Sequence, residues 1–261
     1  MQNFILLIIS FFLNLLVQAQ NISHYNDNWM FVDSHSFNFT YGIPTYVGGT
    51  ALSNPGIEGV SSISDGYGNI LFYSDAQSVY DANNNPMPNG NMTINGYISA
   101  TSSCVITKIP GDCNKYYLFT LQEIGTSQTM ELRYSIIDMS LNGGLGDVDV
   151  TQNNILIYNS NSLTEKMITI QKGLSENFWL VVRHVYDDKY LSFEVNSLGI
   201  NTNPVISTIS SNTFPVINQG GPMTGWIATS TQNNAIVESN VMTNSYLYDF
   251  DNQTGLLTNQ D

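Results

Sequence analysis

Two pairs of aspartates stand where carboxylates could act together: Asp65 with Asp75, and Asp249 with Asp251. Paired carboxylates serve general acid–base chemistry or bind calcium. A calcium loop needs a third oxygen ligand and a glycine in register. Asp249-Phe250-Asp251-Asn252-Gln253-Thr254-Gly255 has the acids and the glycine but breaks that register. Asp and Asn also turn a chain by accepting hydrogen bonds from nearby backbone amides. On that reading Asp65 with Gly68, and Asp251 with Gly255, are structural turn residues, and no metal ligand is assigned. His24, His35 and His184 are far apart in sequence. His184 sits in VVRHVYDD beside Asp187 and Asp188, but no G-x-S-x-G elbow or similar nucleophile accompanies it. The sequence therefore predicts no catalytic residue.

The stretch YSIIDMSLNGGLGDV asks whether its glycines cradle a phosphate. A dinucleotide fingerprint after Gly144 and Gly146 needs a third glycine where Asp149 stands, and a helix beyond it. VDVTQNNILIY follows instead, with β-branched residues and no helical period. Without a helix N-terminus there is no amide cluster for an anion. Gly143, Gly144 and Gly146 are read as loop residues supplying positive φ and close approach between strands. No cofactor is implied. Cys104 and Cys113 are too few for a zinc site. If VITKI and KYYLFT form a hairpin around Pro110-Gly111-Asp112, Cys113 lies in the turn and Cys104 several residues down the strand. At ~3.3 Å per residue that exceeds the ~7 Å reach of a disulfide, so none is expected. Trp29, Trp179 and Trp226 open or centre strand-like runs, which predicts burial in the sheets rather than a carbohydrate platform.

The elements that must position these residues are strands throughout. Runs rich in Val, Ile, Tyr, Phe and Thr are punctuated by Gly, Asn, Asp and Pro. NWMFV and SFNFTYG come first. GVSSIS turns into ILFYSD; SSCVITKI turns through PGDCN into KYYLFTLQ and MELRYSIIDM. EKMITIQK turns into FWLVVRHV and KYLSFEVN; GWIATST turns into AIVESN and SYLYDF. Val60, Cys104, Met167 and Trp226 recur at corresponding points, spaced near the ~40–50 residues of propeller blades with insertions. The predicted fold is all-β: a propeller-like radial array of antiparallel meanders, with four to five blades and its closure left open. A sandwich is the structural alternative.

Composition narrows the setting. Hydrophobic residues make up 42% of 261, so a real core is within reach. Charged residues make up only 11%, against about 25% in an average soluble protein. Seven basic residues against 21 acidic ones give a net charge of −14. That excludes nucleic-acid phosphates and anionic lipid heads as partners, since both need clustered Lys and Arg. The opening MQNFILLIISFFLNLLVQAQ is apolar over a stretch shorter than the ~20 residues of a membrane span. With small residues at Val17 and Ala19, it predicts a signal peptide over residues 1–19 and a single mature domain over 20–261. The product is then secreted or at the cell surface, and not an integral membrane protein after cleavage.

YSIIDMSLNGGLGDV, EKMITIQK, FWLVVRHVYDDKYLSFEVNSLGI, NDNWMFV and ALSNPGIEGVSSISDGYGNILFYSD together resemble the propeller-like N-terminal region of secreted Bacteroidetes surface proteins. Those proteins are associated with gliding motility or sorted by type IX secretion. The resemblance spans residues 26–258. It implies export, a β-propeller, and a binding or scaffolding role towards a surface protein or glycan, with no catalytic residues carried over. Two departures stand out. GWIATSTQNNAIVESN lacks the Ser-Pro-Asp-Gly turn of the relatives, and the chain is C-terminally incomplete relative to them. The alternative functions are a propeller hydrolase or lyase acting on a glycan or lactone, and a non-functional fragment of a larger surface protein.

Overall fold

The computed structural model describes residues 24–53, 57–124, 129–185, 189–209, 224–240 and 245–259. The expected signal peptide at 1–19 lies outside the described residues, as do Asp187 and Asp188. Antiparallel strands dominate, falling into four sheets that are each contiguous in sequence. The first holds β1 (Asn28–Phe31), β2 (His35–Asn38) and β3 (Thr45–Tyr46). The second holds β4 (Ser61–Ser64), β5 (Ile70–Ser74) and β6 (Val79–Asp81). The third and largest runs from β7 (Cys104–Lys108), β8 (Lys115–Ile124), β9 (Thr129–Asp138) and β10 (Asp147–Val148) to β11 (Ile155–Gln171), β12 (Phe178–His184), β13 (Lys189–Asn196), β14 (Gly199–Ile200) and β15 (Val205–Thr208). The fourth holds β16 (Gly225–Thr229), β17 (Ala235–Asn240), β18 (Tyr246–Asp251) and β19 (Leu256–Asn259). Two single 3-10 turns, Asn142–Gly144 and Val150–Gln152, interrupt stretches expected to be loop and strand.

The large sheet departs from the simple run of separate meanders. The second and third sequence units are joined into nine strands by the 17-residue β11. Its first part pairs with β9, Ile155 opposite Tyr134, and its second with β12, Ile170 opposite Trp179. No Gly or Pro stands between Ile155 and Gln171 to break the ladder. Register shifts fall between Leu156 and Tyr158, Tyr158 and Leu163, and Leu163 and Met167. Such irregularities bend a strand and increase its twist, and through them one strand serves both ladders.

Side-chain alternation explains where the cores sit. Successive residues of a strand point to opposite faces. Along β8, Tyr117, Phe119 and Leu121 enter one cluster with Phe178, Leu180 and Val182 of β12, while Tyr116 and Leu118 enter another with Phe72 of β5. On β12, Trp179 and Val181 turn the other way, to meet Ile227, Ile236 and Phe250 of the fourth sheet. Both faces of β8 and β12 are covered, so these strands read as unbroken apolar runs. A fourth cluster, with Leu52, Ile57 and Tyr73, lies between the first two sheets and takes in Met30 and Val32. Leu118, Phe119, Leu180 and Phe193 are wholly buried, each stabilising the fold by about 1.5–3 kcal/mol relative to exposure.

Candidate functional site

The turn residues singled out in the sequence make local hydrogen bonds. Asp65 Oδ1 accepts from the amides of Tyr67 and Asn69 at 2.8 and 2.9 Å, and its Oδ2 accepts from Asn69 Nδ2 at 2.9 Å. Desolvation pushes this carboxyl up, and the hydrogen bonds from Asn69, Tyr67 and Gly68 more than reverse it, leaving it below its ordinary value. Gly68 has φ 85°, and a Cβ there would lie 2.3 Å from Thr40 Oγ1. Asp251 accepts from the Thr254 hydroxyl at 2.8 Å and the Gln253 amide at 2.9 Å, and its carboxyl is held low by the Thr254 bond first. Gly255 has φ 78°, and a Cβ would press on the Trp179 ring at 2.8 Å. Gly143, Gly144 and Gly146 have φ of 67°, 94° and 83°.

The Asp65–Asp75 pair does not assemble, whereas Asp249 and Asp251 share the exposed face of β18. Asp65 and Asp75 stand at opposite ends of β5, and Asp75 Oδ1 is engaged by the amides of Gln77 and Ser78 at 3.0 and 2.7 Å. Among the described residues, no three His, Cys, Asp or Glu side chains gather to hold a metal. The histidines also stay apart. His24 Nδ1 lies 2.5 Å from Asp27 Oδ2, and His35 Nδ1 lies 3.1 Å from the Tyr46 hydroxyl. His184 contacts the Tyr158 and Ser162 hydroxyls at 3.3 and 3.4 Å. Cys104 is buried and Cys113 exposed, both as thiols. Among the described residues no helix is long and apolar enough to cross a membrane.

Two features escaped the sequence reading. The first is a charge network closed to solvent between the third and fourth sheets. Lys166 Nζ of β11 lies 2.5 Å from Glu238 Oε1 of β17 and also donates to Asn240 Oδ1. Arg183 of β12 reaches the same Glu238 oxygen at 3.1 Å. The Tyr190 hydroxyl of β13 donates to Glu238 Oε2. Burial pulls the Lys166 ammonium below its ordinary value, with Glu238 opposing, and drives the Tyr190 hydroxyl well above its own. The available signal was a set of charges at inward positions of apolar alternations: Glu238 two residues from buried Ile236, and Arg183 within FWLVVRH.

The second is a sheet turned inside out. On β1–β3 the residues facing the protein are polar apart from Met30, which joins the cluster with Leu52 and Tyr73. Asn28 and Ser36 are buried; Asn28 Nδ2 donates to Ser64 Oγ and the Gly68 carbonyl at 2.8 and 2.7 Å, and Asn38 Nδ2 donates to Asn28 Oδ1 at 2.9 Å. The outward face is aromatic. Register places Trp29 opposite Phe37, Phe31 opposite His35, and Phe37 opposite Tyr46. Ring centroids lie 4.8 Å apart for Trp29 and Phe39, 6.0 Å for Phe31 and Phe37, and 5.7 Å for Phe37 and Tyr46. Trp29 is 53% exposed and Tyr46 57%. The expectation that all three tryptophans are buried is thus corrected: Trp179 is 3% exposed, but Trp226, on the outer face of the fourth sheet, is 58% exposed. Burial follows which face another sheet covers, and among the described residues no sheet covers the outer faces of the first and last sheets.

A cleft of about 280 Å³ opens beside Trp29, between β1 and β4, lined by Asn26, Asn28, Trp29, Phe31, Ser61 and Ser62 with Met30 and Val60.

Neither a family model nor a curated protein sequence matches the chain. Among solved structures it is similar to a DUF4623 family protein from Bacteroides eggerthii, at 9% identity and a TM-score of 0.35. The match covers 93% of this chain and 47% of that one, so the chain spans about half the length of the structure it matches.

Proposed function

We propose that the chain is a secreted or cell-surface module with a binding or scaffolding role, built as a radial, propeller-like array of meanders. The observation that carries the binding role is the aromatic outer face of β1–β3. A sheet that turns Asn28, Ser36 and Met30 inward and Trp29, Phe31, Phe37 and Tyr46 outward spends its aromatic area on something other than its own core. Contiguous exposed apolar surface of this kind marks interaction sites, and Trp and Tyr dominate the energetics of such sites. Support for the radial arrangement comes from the first strands of successive units. β1 lies beside β4, β4 beside β7, β7 beside β11, and β11 beside β16, as inner strands do around a shared axis. Support for export is the apolar run at residues 4–17, and the net charge of −14 points away from anionic partners.

The test is capture on cell-surface proteins and glycans from the source organism by the chain over residues 20–261, compared with a Phe37→Ser, Tyr46→Ser double variant. Saturable binding by the native chain, lost in a variant with unchanged circular dichroism, supports the reading. Equal binding by both, or no binding by either, overturns it. Solution scattering tests the architecture separately: a disc-like envelope is expected, and a flat two-layer slab would exclude a radial array.

A further inference from the structure

The cleft at the edge of the aromatic face has an unusual lining for so acidic a chain. Asn26, Ser61 and Ser62 supply an amide and hydroxyls, Trp29 and Phe31 supply rings, and Met30 and Val60 supply aliphatic contact, while the Asn28 amide is bonded inward; none of these residues carries a charge. The chain as a whole carries −14. An anionic ligand would be repelled by that field, and a cation finds no carboxylate in the lining. The chemistry left is that of a neutral, polyhydroxylated molecule with an apolar face.

The geometry is built to receive one. Trp29 Nε1 donates to the Asn26 carbonyl at 3.1 Å, which fixes the indole plane while more than half of the residue stays exposed. Phe39, 4.8 Å away, braces the ring from one side. Phe31 extends the apolar wall along β1. Across the cleft, Ser62 donates to the Asn28 carbonyl and Ser61 Oγ accepts from the Ile106 amide at 3.1 Å, so each hydroxyl is held in place. The Asn26 side chain stands exposed at the rim. A pre-oriented aromatic plane beside fixed hydroxyls and an amide matches a sugar ring, whose C–H face stacks while its hydroxyls exchange hydrogen bonds. The volume, about 280 Å³, lies just below the ~300 Å³ at which drug-sized ligand sites begin, room for one or two sugar units of a longer chain.

We infer that the Trp29 cleft between β1 and β4 binds a neutral saccharide. The inference deepens the binding reading above and rests on it. The test uses the chain over residues 20–261 with cellotriose, maltotriose, mannotriose and chitotriose, followed through the indole N–H resonances of the three tryptophans. At least one trisaccharide should shift the Trp29 resonance and leave buried Trp179 unmoved. Trp29→Ala should weaken that binding about tenfold or more. Trp226→Ala, which removes an equally exposed ring on another sheet, should not. Asn26→Ala, which trims a rim amide without touching the core, should weaken binding several-fold and serves if Trp29→Ala fails to fold. The inference is overturned if all four trisaccharides leave Trp29 unmoved at millimolar concentration, or if the variants that fold, Asn26→Ala included, bind as the native chain does. An extended peptide that shifts Trp29 when no saccharide does also overturns it, in favour of strand addition at β1. Loss of surface capture in the Phe37→Ser, Tyr46→Ser variant alongside a silent Trp29 would sink the saccharide alone and leave the binding module standing.

Discussion

Lys166 and Glu238 meet at 2.5 Å, 72 positions apart in the chain, with neither side chain reachable by solvent. Arg183 shares the same carboxylate at 3.1 Å. One acid therefore holds two cations at the seam between the large sheet and the last sheet, and removing it leaves both charges buried. Glu238→Gln should cost about 3–5 kcal/mol of unfolding free energy, the usual penalty for breaking a buried pair from one side. Lys166→Met should cost less, because Arg183 still answers Glu238. Denaturant unfolding of both variants checks the order; a milder loss for Glu238→Gln than for Lys166→Met would show that the seam does not depend on this carboxylate.

The glycine loop gives a graded prediction. Gly144 has φ 94° with nothing within 4 Å of a Cβ, so Gly144→Ala meets only backbone strain, about 1 kcal/mol. Gly146 has φ 83° and a Cβ would come within 2.6 Å of Met139 Sδ and 3.0 Å of Met87 Cε. Gly146→Ala should therefore destabilise more, and neither variant should change affinity for a nucleotide. Urea midpoints that rank the two the other way would mean the methionines yield freely.

How much of this was legible in the sequence depends on what period 2 can carry. It tells which residues share a face, so the meanders SSCVITKI–KYYLFTLQ and FWLVVRHV–KYLSFEVN were readable, as was the turn at Asp251 and Gly255. It does not tell which face is covered. Trp29 and Trp226 alternate as core residues do, yet lie on the outer faces of the first and last sheets. Nor does it tell which strands continue into one another: EKMITIQK reads as the opening strand of a new unit, yet β11 enters it from Ile155 without a break. Lys166, Arg183 and Glu238 come from three strands, and only the packing of two sheets brings them together.

The two cysteines should separate by rate. Cys113 is exposed and should react with a thiol reagent at once. Cys104 is buried, burial pushes its thiol up to about 12, and its Sγ donates to the Ser74 carbonyl at 3.4 Å. One thiol should titrate rapidly in the native chain, and the second only as fast as the core between the second and third sheets opens. Two fast thiols would show that this core is open to solvent.

Alkali should unfold the chain cooperatively, and tyrosines set the window. Burial, ahead of any neighbouring charge, raises Tyr73, Tyr116 and Tyr248 from 10.0 to about 12. Between those values the unfolded chain has released protons that the folded chain retains, so stability falls as pH rises. The contribution is intact below pH 10.0 and is lost as pH climbs through about 12. The share of the tyrosinate absorbance that comes from the buried rings should then appear together with the circular dichroism change, in one transition above pH 10.0. Tyr116 packs edge-on against Phe72, with ring centroids 5.4 Å apart, and Tyr116→Phe keeps that contact while removing one titrating hydroxyl. Its alkaline midpoint should move upward. An unchanged midpoint would place the driving protons elsewhere than on the buried rings.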